Sequence, residues 1–292
     1  LIIQPLRSFC RRNIDSTTIG WGGLLPGKSI ADVLADAYDE HLFDGVLLED
    51  MPDKPQFIFK ATNLQTGRMV RMSKRRIADY RIGEIPHPKG FRLATAVAAS
   101  SAFPPVLSPV VIKTKPSDWK KLEGADLHGQ SAFTKKLVLT DGGVYDNIGL
   151  ESIDSFQTIL VSDAGAPFAF QMKKETFWPK QVFRALDIAT DQSRGLRKRL
   201  LINQATMGKQ TAAYWGIDQD GMKAPPHNAL PAPISVTEKL ARIRTRLNKF
   251  SPNEQGQLIN WGYASCDNAV RRFADPAAAP PDGWPVPKHA LG

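Results

Sequence analysis

Two short apolar runs, Lys136-Leu137-Val138-Leu139-Thr140 and Thr158-Ile159-Leu160-Val161-Ser162, each end in an aspartate, Asp141 and Asp163. A run that is apolar on both of its sides is a strand covered on both faces, so the chain must build layers above and below a sheet. Helix-forming segments are interleaved with these runs. Residues Ile30 to Phe43 repeat Ile30, Val33, Leu34, Ala37, Tyr38 and Leu42 on one helical side, with Ser29 in front as an N-cap. The aromatic and β-branched stretch Gln56–Asn63 turns through Leu64-Gln65-Thr66-Gly67 into the alternating Arg68–Met72, which reads as a hairpin pair. Phe91 to Ala102 is an alanine-rich helix stopped by Pro104-Pro105, and Val106 to Ile112 resumes as extended chain. The alternation predicts an α/β fold with a mostly parallel sheet.

Beyond Pro179 the pattern becomes helical. Val182, Leu186, Ala189, Leu196 and Leu200 share an apolar side, while Arg194, Arg197, Lys198 and Arg199 form a basic cluster that reads as a solvated face. Val236, Leu240, Ile243 and Leu247 predict another helix. Ser251-Pro252-Asn253-Glu254 is a capping box opening a last helix to about Phe273. Three regions are expected: an α/β domain over 1–178, a helical extension over 179–274, and a Pro/Ala-rich tail over 275–292 without fixed structure. With 42% hydrophobic and 23% charged residues, the chain excludes extensive disorder and coiled-coil compositions. Lysines and arginines number 38 against 29 acids, a net charge of +9 that favours anionic partners such as lipid headgroups. No apolar run reaches a membrane span, so a protein that is soluble or peripheral at a membrane is expected. Cys10 and Cys266 read as free thiols.

The search for chemistry starts at the strand ends, where ligands bind in open α/β sheets. Asp141-Gly142-Gly143 offers a carboxylate for general-base work and two glycines that let backbone or substrate approach. Asp-Gly is also a common hairpin turn, so the local residues leave both readings open. For Asp163-Ala164-Gly165 a turn or cap is favoured. Gly22-Gly23-Leu24-Leu25-Pro26-Gly27-Lys28-Ser29 satisfies the phosphate-loop pattern and opens a helix, but no buried strand feeds it and Pro26 removes an N–H. The five histidines show no ligand spacing, Val144–Asn147 lacks the alternating oxygens of a calcium loop, and no metal or cofactor is expected. The basic cluster has no interleaved aromatics, so no nucleic-acid partner is expected. No G-x-S-x-G nucleophile turn occurs: Gly27–Ala31 and Gly129–Phe133 each lack the closing glycine.

Three segments, Phe57–Gly67 (FIFKATNLQTG), Ala94–Pro109 (ATAVAASSAFPPVLSP) and Leu139–Glu151 (LTDGGVYDNIGLE), together resemble patatin-like phospholipases, in the order of the part of that domain that follows its nucleophile. The similarity runs from about Gln4 to about Ala166, with Arg184–Leu201 as a weaker extension. The resemblance implies a three-layer α/β sandwich, incomplete here at its N-terminus, and a serine esterase acting on phospholipid or related acyl esters through a Ser-Asp dyad. It places Asp141 as the dyad base that takes the serine proton, with Gly142, Gly143, Asn63, Ser101 and Pro104 shaping the site. The family's glycine-rich oxyanion loop and serine belong to the earlier part of the domain and have no counterpart here. A chain that starts at Leu1 inside an apolar segment is therefore expected to be the back part of a hydrolase, inert alone. It is also expected to leave an apolar patch beside the strand ending at Asp141. The alternatives are a nucleotide-binding protein using Gly27-Lys28-Ser29 and a nucleophile-free lipid-binding scaffold.

Overall fold

Short connections set the direction of the main sheet. In the computed structural model, which describes residues 3–14, 29–105, 107–172, 176–220 and 223–292, β1 (Phe59–Asn63), β2 (Arg68–Met72), β3 (Arg76–Asp79) and β4 (Gly83–Pro86) follow one another through three- and four-residue turns. A parallel neighbour needs a crossover of a dozen or more residues, so these strands can only meander. With β5 (Val110–Lys113) and β6 (Lys136–Asp141) they form a six-stranded sheet in the order β4-β3-β2-β1-β6-β5. Every pairing in it is antiparallel, against the expectation of a mostly parallel sheet. Two-sided apolarity reports burial and carries no information on direction, which is why that expectation failed.

The turn at Leu64–Gly67 closes with Gly67 at φ +66, a left-handed conformation that suits glycine. It is anchored by a buried carboxylate: Asp79 accepts hydrogen bonds from Asn63 Nδ2 (2.9 Å), Thr66 Oγ1 (2.7 Å) and the Arg81 N–H (2.9 Å). The strand β6 lies between β1 and β5, with Leu137, Leu139 and Thr140 fully buried. The apolar patch expected beside it is therefore replaced, at these positions, by packed core.

Helix α1 spans Ile3–Cys10, α2 Ile30–Tyr38 and α3 Leu93–Ser101. Ser29 caps α2 in a reciprocal box, its Oγ accepting from Asp32 N (3.1 Å) while Asp32 Oδ2 accepts from Ser29 N (2.9 Å). A π-helical turn, Asp39–Phe43, continues α2 to the predicted end. In α3 the buried residues are Leu93, Ala94, Ala96, Ala98 and Ala99, and such short side chains let its backbone come close to the sheet. The chain divides into two units, Leu1–Pro5 with Asn13–Gly149 and Leu6–Arg12 with Leu150–Gly292. The first unit thus ends ahead of the break expected at 178.

In the second unit β7 (Thr158–Asp163) and β8 (Thr211–Gly216) pair in parallel, joined by the crossover helix α4 (Trp178–Thr206). Of the apolar side expected on α4, Val182, Leu196 and Leu200 are exposed, and Leu201 is the helix's buried residue. Helices α5 (Ile234–Ala241) and α6 (Pro252–Phe273) enclose a core of Ala232, Leu240, Trp261, Ala264 and Leu291. The tail expected to lack structure is held on α6. Buried Asn260 donates to the carbonyls of Val286 (2.9 Å) and His289 (2.8 Å), accepts from Val286 N (3.0 Å), and leaves Val286 and Leu291 buried. A proline-rich segment keeps its carbonyls free of regular pairing, and a side-chain amide can collect them.

Candidate active site

The end of α3 grips the end of β6. Prolines after the helix stop further turns, so its last carbonyls need other partners. Ala102 O accepts from Asp141 N (3.0 Å) and Thr140 Oγ1 (2.9 Å), and Ser100 O accepts from Gly142 N (3.3 Å). From the other side, Thr62 Oγ1 on β1 donates to Asp141 O (2.8 Å). The backbone that carries the Asp141 side chain is therefore fixed by two neighbouring elements.

The carboxylate itself has one anchor among the described residues: Oδ1 accepts the Gly143 N–H at 2.6 Å. Burial pushes the Asp141 carboxyl above the usual aspartate range, and the Gly143 N–H offsets only part of that rise. A raised pKa makes it a stronger proton acceptor than a solvated aspartate. It lines a cavity of about 450 Å³ with Ser100, Asn147, Gly149, Ile58 and the β1 residues Phe59 and Lys60.

Close approach constrains both glycines, Gly142 against fixed backbone and Gly143 against side chains that can shift. A Cβ on Gly142 would lie 2.6 Å from the Lys60 carbonyl oxygen, and one on Gly143 would lie 2.6 Å from Asn147 Oδ1 and 2.9 Å from Asp141 Oδ1. The short helical turn Gly143–Asp146 then leads to Gly149, whose N–H donates to buried Asp146 Oδ1 (2.9 Å) and whose carbonyl accepts from Lys60 Nζ.

Asp141, Gly142 and Gly143 thus come together at the cavity, whereas Asn63, Ser101 and Pro104 do not line it. Asn63 holds Asp79 two residues along β1 from Ala61, the partner of Asp141. The Ser101 hydroxyl donates to Val97 O (2.9 Å) and shares a hydrogen bond with Tyr38 OH (3.1 Å). Pro104 lies just past α3, outside the lining set. Its neighbour Ser100 supplies the hydroxyl-bearing residue at the cavity instead. Lys60 and Ser100 were missed because cross-strand register and helix phase bring them there, and neither is a local motif.

The second strand-end carboxylate is spoken for. Asp163 Oδ2 accepts from Arg194 Nε and Tyr214 OH, each at 2.6 Å, and Oδ1 accepts from Gly165 N (2.9 Å). Gly22–Lys28 lies outside the described residues, while Ser29 acts as the cap of α2. Among the described residues no group of three potential metal ligands occurs, and no helix is long and apolar enough to cross a membrane.

A family model for patatin-like phospholipases matches residues 5–154. No curated protein matches the chain.

Proposed function

The chain belongs to the patatin-like phospholipase family, and from that premise we propose that it carries the base of a lipid acyl hydrolase that works with a nucleophilic serine. The reading assigns the first unit, up to Gly149, to the part of the family's domain that follows the nucleophile. Asp141 is the proposed base. The observation that carries this is the placement of its carboxylate: at a strand's end, anchored through Oδ1, facing a cavity, with its proton affinity raised by burial.

In the proposed reaction a serine Oγ attacks the ester carbonyl carbon as its proton passes to the Asp141 carboxylate. Collapse of the tetrahedral adduct breaks the bond to the alcohol, which leaves with that proton. A water then attacks the acyl-serine, gives its proton to Asp141, and releases the fatty acid while the serine is reprotonated. Oδ1 keeps the Gly143 N–H throughout, so the proton is carried by Oδ2. The substrate class is phospholipid or a related acyl ester presented at a membrane surface, and the net charge of +9 favours an anionic one. Without a G-x-S-x-G serine and an oxyanion loop, this chain alone is inert in this reading.

The experiment is Asp141→Asn in a form of the protein that also carries the elbow serine, assayed for release of fatty acid from phospholipid vesicles. Turnover should fall by at least about 10³-fold while the protein melts no lower than wild type, as for loss of an essential proton acceptor. Turnover equal to wild type ends the assignment of Asp141.

A further inference from the structure

The helix α4 is mounted with its polar side inward. Arg194 binds Asp163 (2.6 Å), Lys198 lies over the Tyr214 ring (4.0 Å), and Arg197 reaches Glu151 (3.3 Å). At 3.6 residues per turn, Trp178, Val182, Ala189, Leu196 and Leu200 fall within about 40° of one another on the other side. That side is exposed: Trp178 72%, Val182 58%, Leu196 60% and Leu200 58%. From Trp178 to Leu200 the stripe is roughly 33 Å long at 1.5 Å per residue.

The segment entering the helix packs on the side of Arg184, away from the stripe. Phe170 is 92% exposed, and it stacks edge-on against Phe168, which Arg184 of α4 holds by a cation–π contact at 4.1 Å. A stripe of this length with Trp178 at one end is larger than the scattered apolar residues of an ordinary surface. Charge decides among possible occupants. Of the helix's six cations Arg194 and Lys198 turn inward and Lys180 and Arg184 lie away from the stripe, and its two acids are Asp187 and Asp191. Both acids lie on the side away from the stripe, and Arg197 and Arg199 flank it. A second copy of the chain would bring like charge to like, whereas an anionic bilayer complements the flanks and takes the aliphatic and aromatic side chains into its interface.

We propose that the outward face of α4, from Trp178 to Leu200, lies in the interface of an anionic lipid membrane. This deepens the lipid hydrolase reading and rests on it for the choice of a lipid surface; its measurement is binding, which needs no turnover.

The test is flotation of the full chain with vesicles of phosphatidylcholine alone or mixed with phosphatidylglycerol, over a range of salt. The chain should float with the mixed vesicles, less at high salt, and poorly with phosphatidylcholine alone. Leu196→Gln with Leu200→Gln should weaken partitioning by about tenfold or more, since affinity scales with the apolar area inserted, and both residues are exposed enough to leave the melting curve unchanged. Arg199→Glu should reduce the preference for phosphatidylglycerol. Absence of flotation, or flotation that the double variant leaves unchanged, overturns the proposal. So does a dimer in light scattering that the double variant dissociates, because a second copy would then cover the face. Asp141→Asn should float like wild type, which separates failure of this surface from failure of the hydrolase reading.

Discussion

Replacing Gly142 by alanine should destabilise the first unit by an amount set by one short contact. The backbone at Gly142 is right-handed, φ −61 and ψ −29, so alanine meets no conformational penalty there. The added Cβ would instead lie 2.6 Å from the Lys60 carbonyl oxygen and 3.1 Å from its carbon, against 3.4 Å or more for ordinary contact, an overlap of 0.8 Å. The obstacle is the backbone of β1, which is paired on both sides with β2 and β6, so no side chain can swing away. Overpacking of this kind costs about 1–3 kcal/mol. At roughly 2–4 °C per kcal/mol for a domain of this size, the melting temperature should fall by roughly 2–12 °C. Gly262→Ala is the internal control: it sits at an exposed position inside α6, and nothing stands within 4 Å of its Cβ. That substitution should raise stability by about 0.8–1 kcal/mol. Scanning calorimetry reads both. A Gly142→Ala protein that melts at or above wild type would refute the tight seating of the Asp141 turn on β1.

Burial raises the folded-state pKa of Asp141 above its unfolded value, so its contribution to stability is complete below the unfolded pKa and is lost as pH rises through the folded one. Asp141→Asn, which retains an oxygen for the Gly143 N–H, should therefore melt above wild type at pH 7, with the gap closing below about pH 3.9 in a pH series of melting curves. Burial also pushes the thiols of Cys10 and Cys266 up, with Asp267 adding to the effect at Cys266, and both are unpaired. Iodoacetamide should label them more slowly at pH 8 than it labels the same chain in denaturant, as mass spectrometry would show. Ser251→Ala removes the cap that accepts Glu254 N (3.2 Å) and should cost the second unit about 1 kcal/mol in a urea titration.

Local chemistry made some elements readable and long-range register hid the others. Ser29 and Ser251 announce helix starts because a cap needs only a hydroxyl and a donor three residues on, and both boxes form. Gly67 and the paired prolines after Ser101 likewise act within a few residues of themselves. The strands β3 and β4 were not legible, since Arg76–Asp79 and Gly83–Pro86 are four residues each and carry no sustained alternation. Nor was β8, whose Thr-Ala-Ala-Tyr-Trp-Gly has too little aliphatic content to announce a buried strand. At the site, Asp141 and its glycines were visible as a strand end followed by a turn. Lys60 and Ser100 reach the same cavity only because Ala61 pairs with Asp141 and α3 ends against Gly142, facts of register that no local window contains.

Sequence alone treats Asp141 and Asp163 almost alike: each ends an apolar run and each precedes a small residue. Their surroundings separate them. Asp163 receives a guanidinium, a phenol and a backbone N–H, and its side chain is 2% exposed, so its charge is consumed in holding β7, β8 and α4 together. Asp141 receives one N–H and no cation bonded to it among the described residues, and it opens on a cavity. A carboxylate desolvated by burial with a single donor is a better proton acceptor than a solvated one. The two asparagine variants should accordingly move stability in opposite directions at pH 7. Asp163→Asn leaves Arg194, itself only 12% exposed, without its counter-charge and should cost about 3–5 kcal/mol, the loss typical of breaking a buried pair. Asp141→Asn removes a desolvated charge and should stabilise. Equal effects of the same sign in thermal melts would mean that the two strand ends share one structural role, and the assignment of a base to Asp141 would lose its physical ground.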